Sequence, residues 1–208
     1  PSAERLAMLV PGSGHLVHMP AHIYLRVGRY RDAALANQQA VKVDQHYLNH
    51  SHVESIYTAA YIPHKYHFLW AAAAKTGQYK LALQAARDTA AKVNPEEMRE
   101  PGFSGTLQHF SLMPLYTQAL FGQWREILAE PEPPADLLYV RGIWHYARGV
   151  ALLRQGKIDS AQLELTHLRQ IASDPAVIDL KIFDVNEITQ ILRIAQAVLE
   201  GEISAAQQ

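Results

Sequence analysis

The chain contains no cysteine. That absence removes disulfides, thiolate metal sites and thiol nucleophiles together. It has no uninterrupted apolar run of about 18 residues, so no membrane-spanning helix is expected. Neither sign of charge is in excess: 19 Lys and Arg stand against 20 Asp and Glu, a net charge of −1. Such a balance leaves no electrostatic footprint for nucleic acid or an anionic membrane, and neither is expected as a partner. The amino-terminal residues include Glu4 and Arg5 and lack the long apolar core of a signal peptide, so a cytoplasmic location is expected. Strand-like alternation is nearly absent. There is no Gly-x-Ser-x-Gly, no Walker loop and no dinucleotide fingerprint, so no catalytic residue is assigned. What is abundant is alanine, leucine and glutamine, which favour helix, and histidine, of which there are 11. At 208 residues, 49% of them hydrophobic, the chain can bury a sizeable core as one large domain or one solenoid.

One short signal recurs. Gly28-Arg29-Tyr30, Gly77-Gln78-Tyr79, Gly122-Gln123-Trp124, Gly156-Lys157-Ile158 and Gly201-Glu202-Ile203 each place a ring or an aliphatic side chain two residues after a glycine. A small residue follows at Ala33, Ala82 and Ala161, while Ile127 takes that place in the third copy. Helical stretches flank each signal. The glycine is expected to end one helix and the next residues to start another. Residues 2–10, with Ala3, Leu6, Ala7 and Val10 at helical spacing, predict a further helix. The glycines are 49, 45, 34 and 45 residues apart. The excess over a regular unit falls in 46–62, in 94–107 and around 174–184, as loops or extra helical turns. Pro131, Pro133 and Pro134 are expected to end a short helix.

This pattern resembles the tetratricopeptide repeat, a helical hairpin of about 34 residues. With each glycine set at the same repeat position, Tyr24, Ala33 and Ala40 match its aromatic and small positions, and so do Gly149 and Ala161. Asn37 departs from it, standing where a bulky apolar residue is usual. The stretches Gly14-His15-Leu16-Val17-His18-Met19-Pro20-Ala21-His22-Ile23-Tyr24 and Tyr61-Ile62-Pro63-His64-Lys65-Tyr66-His67-Phe68-Leu69 are more specific. Together with Leu199-Glu200-Gly201-Glu202-Ile203 they resemble a family of long bacterial tetratricopeptide-repeat proteins, distantly similar to the tetratricopeptide repeat protein 38 group. The resemblance covers essentially the whole chain. It implies an all-α, right-handed solenoid over residues 1–208, as an internal piece of a longer repeat protein. It also implies a protein or peptide partner in a concave groove. Self-association through exposed repeat ends is expected as well.

The histidines repeat in register. His15, His18 and His22 in the first unit, His64 and His67 in the second and His109 in the third fall at a few shared repeat positions. Spacings of three and four put residues on one helix face. The resemblance implies that this face lines the groove. Imidazoles at such spacing suit a transition metal, and nitrogen-only ligation suits zinc, copper, nickel or iron. His18, His22, His64 and His67 are therefore the expected ligands, with His15 or His109 nearby. Tyr24, Glu54, Tyr57 and Tyr61 are expected to line the groove or support the ligands. The alternative is that these histidines bind a peptide carboxylate or satisfy helix termini. His18-Met19-Pro20-Ala21-His22 has the spacing of a zinc-protease helix, but Met19 stands where that enzyme needs a glutamate.

Pro20 and Pro114 each follow a methionine at the same repeat position, so those helices start late or kink there. His46, His50 and His52, with Asp44 and Asn49, form a second polar group that reads as solvated. His145 and His167 read as isolated packing or surface residues. Two functions follow from these readings: a binding scaffold with a histidine-lined groove, or a metal-binding protein or metal-dependent enzyme built on the same scaffold.

Overall fold

A computed structural model describes residues 2–49 and 60–208. Eleven α-helices, two short 3-10 helices and one two-stranded hairpin make up the regular structure of the described residues, so the protein is all-α. None of these helices is long and apolar enough to cross a membrane. The chain divides into two compact units, Pro1–Val93 and Asn94–Gln208.

The first unit contains α1 (Ser2–Leu9), α2 (Gly14–Arg26), α3 (Tyr30–Leu48), α4 (Ile62–Lys75) and α5 (Tyr79–Ala90). From α1 to α5, each helix packs on the next. The glycine signal sets the corners. Gly28 and Gly77 have φ of 78° and 70°, a left-handed conformation that glycine adopts without a Cβ clash. At the first corner the Arg29 N–H donates to the Tyr24 carbonyl (2.8 Å) and the Gly28 N–H to that of Leu25 (3.4 Å). At the second, Gln78 donates to Ala73 (3.0 Å) and Gly77 to Ala74 (3.1 Å). These paired bonds satisfy carbonyls that a helix end leaves open. Five residues past each glycine, Ala33 and Ala82 are wholly buried. Their small side chains let neighbouring helices approach.

Beside this apolar core lies a buried ion pair. Lys65 on α4 donates to Asp44 on α3, and the two side chains are 0% and 4% exposed. Gly14 is the first residue of α2, and a Cβ there would collide with the Asp44 carboxylate. The glycine thus brings the positive end of α2 up to the Asp44 charge.

The second unit contains α6 (Ser104–Ser111), α7 (Met113–Leu120), α8 (Trp124–Ala129), α9 (Leu138–Leu153), α10 (Ile158–Ala172) and α11 (Ile188–Ala206). Gly122 and Gly156 (φ 69° and 73°) repeat the same corner with the same two bonds. Its core is built around α9, which packs on α10, α11 and α8. Gly142 and Gly149, one heptad apart on α9, leave room for the buried side chains of Leu192 and Leu199 on α11.

The structure departs from the sequence expectations at two places. Gly201 makes no corner: α11 runs unbroken through it to Ala206, with Ile203 buried and Glu202 paired to Arg154, the residue just after α9 (2.7 Å). The fifth signal is therefore a helical segment, because its apolar and charged faces already have partners. The second departure lies around 174–184. In place of a plain loop or more helix, Lys181–Ile182 (β1) pairs antiparallel with Asn186–Glu187 (β2). Phe183 and Asp184 turn the hairpin at φ 51° and 56°, and the Phe183 N–H donates to Thr106 Oγ1 on α6 (2.8 Å). The two Met-Pro pairs, for which a late start or a kink is expected, behave differently. Pro20 sits inside a continuous α2, capped at Ser13, so that helix does not start late. Pro114 sits in the first turn of α7, where the chain has broken at Leu112 between α6 and α7. Two further local expectations hold: residues 2–9 form α1, and α8 is a six-residue helix ending before Pro131, while most of the 46–62 segment lies outside the described residues.

Candidate metal centre

Three of the expected histidines meet in the first unit. His18 and His22, one turn apart on α2, face His64 on α4. One ring nitrogen from each lies within 4.8 Å of the others. The ring centroids are 4.8 Å apart for His18–His22, 5.0 Å for His18–His64 and 5.6 Å for His22–His64. Phe68, one turn after His64, touches all three rings at centroid distances of 4.3 to 4.9 Å. Phe68 thus forms an aromatic wall on one side of the imidazoles.

The tautomer of His18 follows from its neighbours. The Asn37 amide donates through Nδ2 to the Ala33 carbonyl (2.8 Å), so its oxygen must point the other way. That oxygen lies 2.6 Å from His18 Nδ1. His18 therefore carries its proton on Nδ1 and donates it to Asn37. The lone pair is left on Nε2, which lies 3.0 Å from His22 Nε2. Asn37 was conspicuous in the sequence only as a departure from the repeat. It stands on α3 because a buried imidazole on α2 needs an acceptor there.

Burial keeps these rings neutral. It pushes His18 down to about 3, against the hydrogen bond to Asn37, and the neighbouring His64, His22 and Lys65 add to the effect. His64 is pushed down to about 4, first by burial and then by His22, His67, His15 and Lys65. His22 is lowered in the same direction by burial, His15 and Arg26. At neutral pH the group offers lone pairs rather than positive charge.

The remaining expected residues are placed as follows. His15 lies one turn before His18, with ring centroids 6.4 Å apart, and meets Tyr61 edge-on at 5.3 Å. Its Nδ1 is buried and has no hydrogen-bond partner among the described residues. His67 stacks on Trp70 at 5.4 Å and is not one of the three grouped rings. His109 belongs to the second unit, where it stacks on Tyr139 and shares a hydrogen bond of 2.9 Å with its hydroxyl. Tyr24 is a core residue beneath the Arg29 guanidinium. Glu54 and Tyr57 lie outside the described residues, as do His50 and His52. Of the second polar group, Asp44 is committed to Lys65. His145 and His167, read from the sequence as isolated, also meet in the second unit.

Comparison of the chain with protein-family models, with curated proteins and with solved structures finds no match.

Proposed function

We propose that this chain is a metal-binding helical-repeat protein in which His18, His22 and His64 hold one transition-metal ion. The observation that carries the reading is the 3.0 Å approach of His18 Nε2 to His22 Nε2, with His18 oriented from behind by Asn37. Metal-bound histidines commonly give their second nitrogen to such an acceptor, which fixes the ring. Zinc–nitrogen bonds of about 2.0–2.1 Å in tetrahedral array set nitrogens roughly 3.3 Å apart, so the His18–His22 pair needs to open by only a few tenths of an ångström, and the His64 nitrogen lies within 4.8 Å of both. Three imidazoles suit zinc, copper, nickel or iron. Three protein ligands leave an open position, where a donor group of a peptide or small substrate enters.

The tetratricopeptide-like reading of the scaffold is supported by four corners built alike at Gly28, Gly77, Gly122 and Gly156. On such a scaffold the partner is a peptide segment lying along the helices, with the ion as its anchor. Recognition of a peptide carboxylate by charged histidines is the weaker reading, because His18 and His64 stay neutral far below pH 7.

The test is elemental analysis and zinc titration of protein purified without an affinity tag. The combined change His22→Ala and His64→Ala is expected to remove one ion per chain while the helical circular dichroism stays at the parent level. Both positions are only partly buried, so the fold should tolerate the change. Unchanged metal content in that variant rules the site out.

A further inference from the structure

A second group of ligand side chains lies in the other unit, on the α9–α10 hairpin. His145 stands eleven residues before Gly156 and His167 eleven residues after it, so the antiparallel helices bring them level. Glu164, three residues before His167, shares its helix face. The rings of His145 and His167 are 4.9 Å apart. His145 Nδ1 lies 2.6 Å from Glu164 Oε2. The other carboxylate oxygen accepts from Arg148 Nε at 3.0 Å. Arg148 is itself fixed: it donates to the Leu128 carbonyl (3.2 Å) and lies 4.4 Å from the centre of the Trp144 ring. The group lines an open cleft of about 360 Å³, which Glu132 and Arg141 border.

We propose that His145, Glu164 and His167 form a second metal site, of two nitrogens and one carboxylate oxygen, for a divalent transition-metal ion. One ligand atom from each residue lies within 4.8 Å of the others. The proton shared by His145 Nδ1 and Glu164 Oε2 marks the place of the ion, because both atoms become ligands once it leaves. His145 then takes its other neutral tautomer, with the proton on Nε2, and no net charge is lost from the ring. Arg148 keeps Glu164 aimed by holding the oxygen that does not bind. Ligating carboxylates are commonly held in this way. A mixed nitrogen and oxygen set is harder than three imidazoles and suits iron(II), zinc or nickel. The Arg148 guanidinium offsets part of the Glu164 charge that would attract a dication. The open cleft gives the ion access to water and to a small ligand.

Equilibrium dialysis of the full chain against zinc, with elemental analysis, tests the assignment. The unaltered chain is expected to hold about two ions, and His167→Ala about one. The His22→Ala, His64→Ala chain should keep an ion that disappears when His167→Ala is added. His167→Gln, which preserves most of the side-chain volume, should weaken the second ion at least tenfold and guards against a packing defect in the alanine variant. If His167→Ala and His167→Gln both hold as much zinc as the unaltered chain, the second site is overturned. It is also overturned if the His22→Ala, His64→Ala chain binds no zinc at micromolar concentrations, an outcome that leaves the first-unit site standing. Loss of zinc with His167→Ala but none with His22→Ala and His64→Ala has the opposite meaning: the second site holds and the first fails.

Discussion

The most consequential single residue in the first unit is Asn37, which touches no proposed ion. Its oxygen fixes the proton of His18 on Nδ1 and so decides which nitrogen faces His22. Replacing it by leucine, the kind of residue expected at that repeat position, would leave a buried N–H without an acceptor. That costs on the order of 1–3 kcal/mol. It also frees the ring to turn, and loss of such an orienting partner commonly lowers metal affinity 10- to 100-fold. Zinc affinity of Asn37→Leu, measured by competition with a chromophoric chelator, should fall within roughly that range. An affinity equal to that of the unaltered chain would show that Asn37 serves packing alone. Asn37 was visible in the sequence only as a misfit, because nothing in a single chain says that residues 18 and 37 face one another. The same holds for His145 and His167, whose partnership becomes legible only when distances are counted outward from the hairpin glycine.

At the scale of elements, the helices and their corners were legible, and the groups they bring together were less so. A glycine followed two residues later by a ring or aliphatic side chain marks a corner because local chemistry decides it. Gly201 shows the limit of that rule. Its surroundings offer buried contacts to an unbroken helix, and those contacts override the local signal. The hairpin between α10 and α11 carried no strand signal either, since its turn is made by Phe183 and Asp184 rather than by glycine. Phe183 adopts that conformation while packing near Phe103 and Phe110. The Lys65–Asp44 pair is the clearest case of an element contact with a measurable cost. Burial lowers the Lys65 ammonium, opposed by its bond to Asp44. Changing Lys65 alone to methionine strands a carboxylate in the interior and should destabilise the fold by about 3–5 kcal/mol. Changing Asp44 to leucine in the same chain should restore most of that loss. Urea unfolding followed through Trp70, which lies on α4, reads both variants. A Lys65→Met chain as stable as its parent would show that water or another group reaches Asp44.

At the scale of the whole molecule, buried neutral imidazoles set the response to acid. His18, His64 and His109 are all held below the usual histidine value, the last to about 4 by burial alone. The unfolded chain takes up these protons near pH 6.5, and the folded chain does so only near 3 or 4. The stability they allow is therefore complete above about pH 6.5 and drains away as pH falls toward the folded values. Each imidazole adds up to about 1.4 kcal/mol per pH unit to that slope. His109→Phe loses the bond to Tyr139 and should be less stable at pH 7. Its stability should nevertheless decline more gently between about pH 6 and 4.5, by close to one proton's worth. Urea midpoints followed through Trp124 and Trp144, in the same unit as His109, would show this. A slope identical to the parent's would mean that the ring protonates normally in the folded chain.

The same neutrality would govern how an ion is taken up at the proposed His18–His22–His64 site. Most histidine sites must shed protons to load, and their grip weakens as the medium turns mildly acid. Here folding has already driven those protons off. An ion loading at that proposed site would then exchange little with the buffer, and would be held further into the acid range than at an exposed histidine site.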